Sequence, residues 1–416
     1  MTEMSIDGTA DGTAPAAIAR DVRLIGLISA AHGMSHFYQL VLPPIFPLLT
    51  SVFGVGYAEL GVVTSLLYIA SGLMQTPAGI LVDRLGPARV LIAGLGLFSG
   101  AVLLFGLVPG FWWLAPLAIL AGLGNSTFHP ADYALMTARI GAVRLGRAYS
   151  IHSLAGNIGW IAAPASVLAL TALLGWRAAL VILGASGLAF TLYLLSQFPV
   201  LIGNSAPHLE HSAGQTAARP RGILFSPAIL LCFAYFTLLS VAQVGLQTFL
   251  PSALVAAFRI SIESANFMLT CFLVAASLGV LAGGIAADRF PRHELVIGCG
   301  LAAAAVFSLV FAVAALPSPL LAMSAAIAGF MMGGTMPARD MLVRGAAPTG
   351  ATGKVFGFVY SGLDLGAAIA PPILGLLLDR GMPRLVFVLA AAALFIAIGS
   401  AAVAGGRGTR LAAARS

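Results

Sequence analysis

The sequence predicts an all-α membrane protein, with twelve transmembrane helices in two pseudo-symmetric six-helix bundles. Three observations carry that expectation. Hydrophobic residues make up 60% of the 416 and charged residues only 8%, against roughly 25% charged in soluble domains. So few charges cannot solvate a globule of this size, whereas lipid accepts apolar surface without penalty. The second observation is the run length of the apolar stretches, and the third is an internal repeat.

A helix needs about 20 apolar residues to cross a bilayer. Runs of that kind fall at 24–50, 58–82, 88–108, 112–138, 146–172, 177–199, 224–254, 265–287, 294–315, 320–343, 353–378 and 385–404. None shows the strict alternation of a membrane β-strand. Placing both termini in the cytoplasm leaves only Arg177, Arg259, Arg380 and Arg384 on the far side and Arg339 inside a helix. Every other Arg and the single Lys354 then face inward, as the positive-inside rule requires. The net charge of +7 is thus a topology signal. The basic residues are scattered over short loops, so no nucleic-acid partner is expected. Trp112, Trp113 and Trp176 read as interfacial anchors on the outer side.

The chain repeats itself once. In "GRAYSIHSLAGNIGWIAAP" (146–164) and "GKVFGFVYSGLDLGAAIAP" (353–371), Gly146, Gly159 and Pro164 land on Gly353, Gly366 and Pro371 after one constant shift. The same shift carries Gly122, Pro130 and Ala131 onto Gly329, Pro337 and Ala338. "GILVDRLGPAR" (79–89) returns as "GIAADRFPRHE" (284–294), matching Asp83 and Arg84 with Asp288 and Arg289. The expected organisation is a disordered cytoplasmic tail at 1–22, an N-terminal bundle at 23–202, a cytoplasmic linker at 203–222, a C-terminal bundle at 223–405 and a cytoplasmic tail at 406–416. Two parallel six-helix repeats enclose a site between them, and rocking exposes it to each side in turn.

Ionisable groups at membrane depth are costly and usually face a bundle interior or a wet cavity. His32, His36 and Gln39 form a helical stripe in the first span, and Asn125, His129, Asp132 and Met136 form one in the fourth. The seventh offers Ser240, Gln243 and Gln247, and the tenth Met332, Met336 and Arg339. The repeat places Arg339 where the first half has Asp132, both about 10 Å from the inner helix ends at 1.5 Å per residue. The two are therefore expected to approach across the interface when the cavity is closed inside, unless Arg339 pairs instead with Asp340. Candidates for a proton-carrying group are His36, His129, Asp132 and Asp364, the last equivalent to Asn157, with His152 nearer the cytoplasmic end. Tyr133 is a further candidate cavity residue. His32 and His36 offer two imidazoles at i, i+4, but spacing shows no third ligand, so no metal is expected.

Two resemblances add to this reading. Gly79, Asp83, Arg84, Gly86 and Arg89, with the degenerate copy around Asp288 and Arg289, resemble the hallmark loop of the major facilitator superfamily over essentially the whole chain. More narrowly, "AHGMSHFYQLVLPPIFPLL" (31–49), "GLGNSTFHPADYALM" (122–136) and "YSIHSLAGNIG" (149–159) look like the fosmidomycin-resistance group of drug/proton antiporters. The resemblance implies that helices 1, 4, 7 and 10 line a central cavity. It implies too that the hallmark residues latch the outward-open state, and that the chain is a multi-pass protein of the bacterial inner membrane.

The function expected is proton-coupled efflux of a small organic molecule, with no cofactor and a monomer sufficing. Import of a small organic anion with protons, its charge held by Arg339, is the alternative. A membrane sensor or catalytic protein is expected to carry an added soluble domain, for which the central loop is too short. No enzyme activity is expected. "PTGATGKVF" (348–356) lacks the first glycine and the Ser/Thr of a phosphate loop, and no GxSxG, HExxH or paired carboxylates occur. Cys232, Cys271 and Cys299 fall singly and read as packing residues.

Overall fold

A computed structural model describes residues 13–202, 223–290, 292–313, 316–346 and 352–413, all-helical apart from turns. The linker predicted at 203–222, the first twelve residues and the last three lie outside the described residues. Six crossings precede 203–222: α1 (Thr13–Gln39) continued by α2 (Phe46–Phe53), α3 (Tyr57–Leu85), α4 (Pro87–Phe105), α5 (Leu114–Asn125) continued by α6 (Phe128–Arg139), α7 (Ala142–Leu174) and α8 (Trp176–Ser196). A short α9 (Phe198–Ile202) follows. The second six are α10 (Pro227–Phe258), α11 (Ile262–Arg289), α12 (His293–Val313), α13 (Ser318–Gly334) continued by α14 (Met336–Ala346), α15 (Thr352–Asp379) and α16 (Pro383–Ala413). The first helix thus begins at Thr13, inside the stretch assigned to the tail, and the last runs past 405.

Eleven of these units are long and apolar enough to cross a membrane unbroken or nearly so. The twelfth is the α5–α6 pair, interrupted at Ser126 and Thr127. Its repeat partner, α13–α14, is interrupted at Thr335, within a residue of the equivalent place. Proline explains both breaks. Pro130 and Pro337 lack the N–H that would close the bond one turn back, and the chain tightens there, Thr127 N donating to Gly124 O and Thr335 N to Met332 O. Pro43, Pro44 and Pro47 divide the first crossing in the same way. Gly86 ends α3 at φ 87°, a conformation strained for any side chain, which accounts for one hallmark glycine.

Leu73, Leu173, Leu192 and Val313 stand exposed on the outer helix faces, where lipid meets them without cost. Trp112 and Trp113 are exposed near the Arg-poor end, but Trp176 is 8% exposed, packed edge-on to Phe53 with the Arg177 guanidinium 4.5 Å over its ring. Its expected anchoring role is corrected to a packing one. Aromatic neighbours are close enough there to withdraw it from the interface.

The halves meet along α3 and α15. An added methyl at Gly61 or Gly375 would land on the backbone of Pro371 or Tyr57, so small residues let these helices touch. Among the described residues, the hydrogen bonds between halves all lie toward the Arg-poor end. Asp379 accepts from Tyr57 N at 2.7 Å and Ala58 N at 2.8 Å, Ser65 Oγ donates to Ala368 O at 2.6 Å, and Asn266 Nδ2 donates to Pro44 O at 3.3 Å. Phe46 packs on Phe249 at the same level. The Asp379 carboxylate sits on the first turn of α3, where free N–H groups and the helix dipole favour an anion. The Arg-poor end is sealed.

Candidate functional site

At mid-depth a narrow hollow of about 30 Å³ lies between the halves, lined by Asn157, Trp160, Gln243, Gln247 and Met336 and by one face of α11 from Phe272 to Val280. Asn157, Gln243, Gln247 and Met336 were expected there. Trp160 and the α11 face were not. Apart from Ser277 the α11 residues are apolar, and nothing in sequence separates an apolar residue facing a substrate from one facing lipid. Trp160 is better marked in retrospect, since it continues the stripe His152–Gly156–Trp160 at helical spacing on α7.

Above the histidines runs a chain of amides. Trp160 Nε1 donates to Gln39 Oε1 at 3.0 Å, Gln39 Nε2 to Asn125 Oδ1 at 3.1 Å, and Asn125 Nδ2 to Ser71 Oγ at 2.8 Å. Four crossings are joined by these bonds, each contributing on the order of 1 kcal/mol while every donor remains satisfied. Leaving one buried donor unpaired costs more than the bond itself, so the chain holds Trp160 in one orientation at the hollow.

Behind it lies a cluster from α1, α6 and α7. His32 and His36 rings are 4.4 Å apart, His32 and His152 stack at 3.7 Å, His129 is 5.5 Å from His32, and His36 stacks on Trp160 at 4.3 Å. At its centre Asp132 is 0% exposed, with Oδ2 3.3 Å from His32 Nδ1 and 3.6 Å from His152 Nε2. Gly156 makes the cluster possible, because a β-carbon there would stand 2.6 Å from His36 Nδ1 and 3.0 Å from His32 Nε2. His129 and Tyr133 are exposed, and Tyr133 lies near Asp340 of the other half. They form the exposed face of the cluster. Of the residues expected to line the hollow, His32, His36, Gln39, Asn125, His129, Asp132, Tyr133, His152, Arg339, Asp340 and Asp364 do not; Asp132, His32 and His152 are sealed behind that face, because α1 and α7 approach closely where Gly33 meets Gly159.

Arg339 is likewise buried, at 5%. The expected contact with Asp132 is not made in this conformation. Arg339 Nε donates to Asp340 Oδ1 at 3.0 Å, and Tyr360 donates to the same oxygen at 2.7 Å. The guanidinium lies 4.8 Å over Phe236 and 5.6 Å over Tyr360, while its Nη1 has no partner. Neither aromatic was foreseen, since each comes from a helix remote in sequence. Asp364 stands apart from both groups. It sits at the middle of α15 against Gly72 of α3, with Tyr68 nearby, and makes no ion pair among the described residues.

The hallmark residues are exposed at the Arg-rich end. Asp83, Arg84, Asp288 and Arg289 make no ion pair among the described residues, Gly79 has open space around it, and Arg89 donates to Leu85 O at 2.9 Å. An unexpected pair holds that end of the first half, Arg144 binding Asp21 through Nε at 3.0 Å and Nη2 at 2.6 Å.

Two six-helix halves around a mid-membrane hollow that is largely apolar but carries Asn157, Gln243 and Gln247, sealed at one end, define a membrane transporter for small molecules. Residues 27–258 and 240–407 match the Major Facilitator Superfamily, and the chain belongs to it. It is 27% identical over 378 residues to the fosmidomycin resistance protein of Escherichia coli (strain K12), covering 88% of this chain and 89% of that one. It is 25% identical to the probable sulfoacetate transporter SauU of Cupriavidus necator, over 65% of each. A solved bacterial homolog to the human lysosomal transporter Spinster, inward-facing and unoccupied, shares the fold with a TM-score of 0.77 at 15% identity, over 93% of this chain and 97% of that one.

Proposed function

We propose that the chain exports a small organic molecule from the cytoplasm in exchange for protons, acting as a monomer in the plasma membrane with its Arg-rich loops and both termini inside. The hollow beneath a sealed Arg-poor end supports alternating-access transport, and the likeness to a resistance protein is the observation that favours export. With the Arg-rich side inward, the sealed end faces away from the cytoplasm, which supports reading this as a state accessible from the cytoplasm. The positive-inside bias supports the orientation, and the likeness to a resistance protein supports the direction. Residues 23–202 and 223–405 act as the two rocking bodies.

Asp364 is assigned the coupling proton. A carboxylate at mid-depth with no cation beside it is expensive while charged, and it lies on the α3–α15 seam that must part when the halves rock. Protonation and seam movement are thereby linked. The hallmark charges, unpaired here, latch the opposite state.

Import of a small organic anion is the second reading. It is favoured by the partnerless Nη1 of Arg339 and by the likeness to a probable sulfoacetate transporter. One experiment separates the two. The protein is expressed in a strain stripped of its main exporters, drug sensitivity is screened, and each hit is added to vesicles while proton flux is followed. Export predicts resistance and substrate-driven proton release through the protein. Growth on an organic acid, with flux in the other sense, overturns export in favour of import.

A further inference from the structure

We propose that His32 Nδ1, Asp132 Oδ2 and His152 Nε2 bind a divalent transition-metal ion such as zinc, inside the N-terminal half. The three donor atoms lie within 4.8 Å of one another, on three different helices. Around zinc, N and O donors stand about 2.0–2.1 Å from the metal, so neighbouring vertices of the tetrahedron are about 3.3 Å apart. The carboxylate oxygen is 3.3 Å from one nitrogen and 3.6 Å from the other. These two edges have the spacing of ligands on one ion; the two imidazoles, now stacked at 3.7 Å, must turn to aim both nitrogens at it. Both edges are longer than the 2.7–2.9 Å usual for a charge-assisted hydrogen bond.

The bonding of the group points the same way. Both Asp132 oxygens, His32 Nδ1 and both His152 nitrogens are buried without a hydrogen-bond partner, and the three residues are 0%, 3% and 2% exposed. A native interior leaves few such atoms orphaned, and each calls for an explanation. A cation between them satisfies a carboxylate oxygen and two imidazoles at once. Imidazole with carboxylate suits zinc, cobalt or nickel, whereas calcium and magnesium take oxygen ligands. His129, 5.5 Å from His32 and exposed, is the imidazole of the cluster that an arriving ion can meet first. All three ligands belong to one half, so the site persists as the halves move, and it stands whichever way the transport experiment falls.

The test uses full-length protein purified without a polyhistidine tag, stripped with chelator, and titrated with Zn²⁺ and with Co²⁺. One ion per chain by elemental analysis, the visible bands of tetrahedral Co²⁺ and a metal-dependent rise in Tm are expected. Asp132→Asn and His152→Ala weaken binding about a hundredfold or more, beyond the 10–100-fold typical of losing a supporting residue. His293→Ala, in the other half, binds as the parent does. Should a ligand variant fail to fold, a His208→Ala, His211→Ala variant of the linker decides: unchanged stoichiometric binding supports the site, and loss of the ion overturns it. Absence of stoichiometric metal in the parent, octahedral cobalt only, or equal binding by well-folded ligand variants overturns the site.

Discussion

At the scale of single residues, the membrane interior makes each polar group accountable to its neighbours. Asp364 has no cation beside it, and its proposed duty is to carry a proton. Asp364→Asn, which keeps the shape and removes the charge, is expected to exchange substrate down its gradient while losing response to an imposed pH gradient; counterflow and gradient-driven uptake in liposomes measure the two separately. Arg339 owes its position to planarity, lying over two aromatic rings while Nε bonds Asp340. A lysine supplies the charge without the stacking face, so Arg339→Lys is expected to raise KM about tenfold for an anionic substrate with a smaller change in maximal rate. Gly156→Ala pushes a methyl against two imidazoles. Overpacking of that kind costs about 1–3 kcal/mol, read as a lower Tm in detergent, and it displaces the histidine cluster.

At the scale of elements, prolines and a borrowed cap set the geometry. The α5–α6 and α13–α14 breaks occupy places equivalent to within a residue in the two repeats, just ahead of Asp132 and Arg339, so each half turns its charged residue inward with the same backbone device. The α3 N-terminus is capped by Asp379 from the opposite half. Loss of a cap costs about 1 kcal/mol, and the bond exists only while the Arg-poor end is shut. Asp379→Ala is therefore expected to shift the balance toward the state open at that end by roughly fivefold or more, seen as faster labelling of a single cysteine placed beside Tyr57. Labelling no faster than in the parent argues that the cap is incidental. The helices themselves were legible because a run of about 20 apolar residues has one stable fate in lipid. The breaks were less so, since proline fixes where a bond is missing but not whether the chain bends or parts.

At the scale of the whole molecule, alternation requires the α3–α15 seam to open and close. Ser65→Cys with Ala368→Cys, in a chain whose three native cysteines are replaced by serine, spans that seam where Ser65 bonds the Ala368 carbonyl. Oxidation is expected to stop transport and reduction to restore it. Undiminished transport by the cross-linked protein would show that the seam does not part during the cycle. The repeat, the twelve crossings and the polar residues around the hollow all came from one dimension of information, because insertion, topology and helical stripes depend on spacing along the chain. Asn157, Gln243, Gln247 and Met336 were found that way. The convergence of His152 with His32 on Asp132, and of Phe236 and Tyr360 on Arg339, was not.

Sequence by itself determined the solvent, the number of crossings, their pairing into two copies and the short set of costly side chains placed in oil. Only the tertiary structure decided which of those side chains meet. Asp132 lies sealed among imidazoles, Arg339 answers to its own neighbour, and Asp364 is left alone on the seam. The reason is physical: a helix fixes which residues share its face, but the partner opposite that face depends on how glycines and prolines let helices distant in sequence approach.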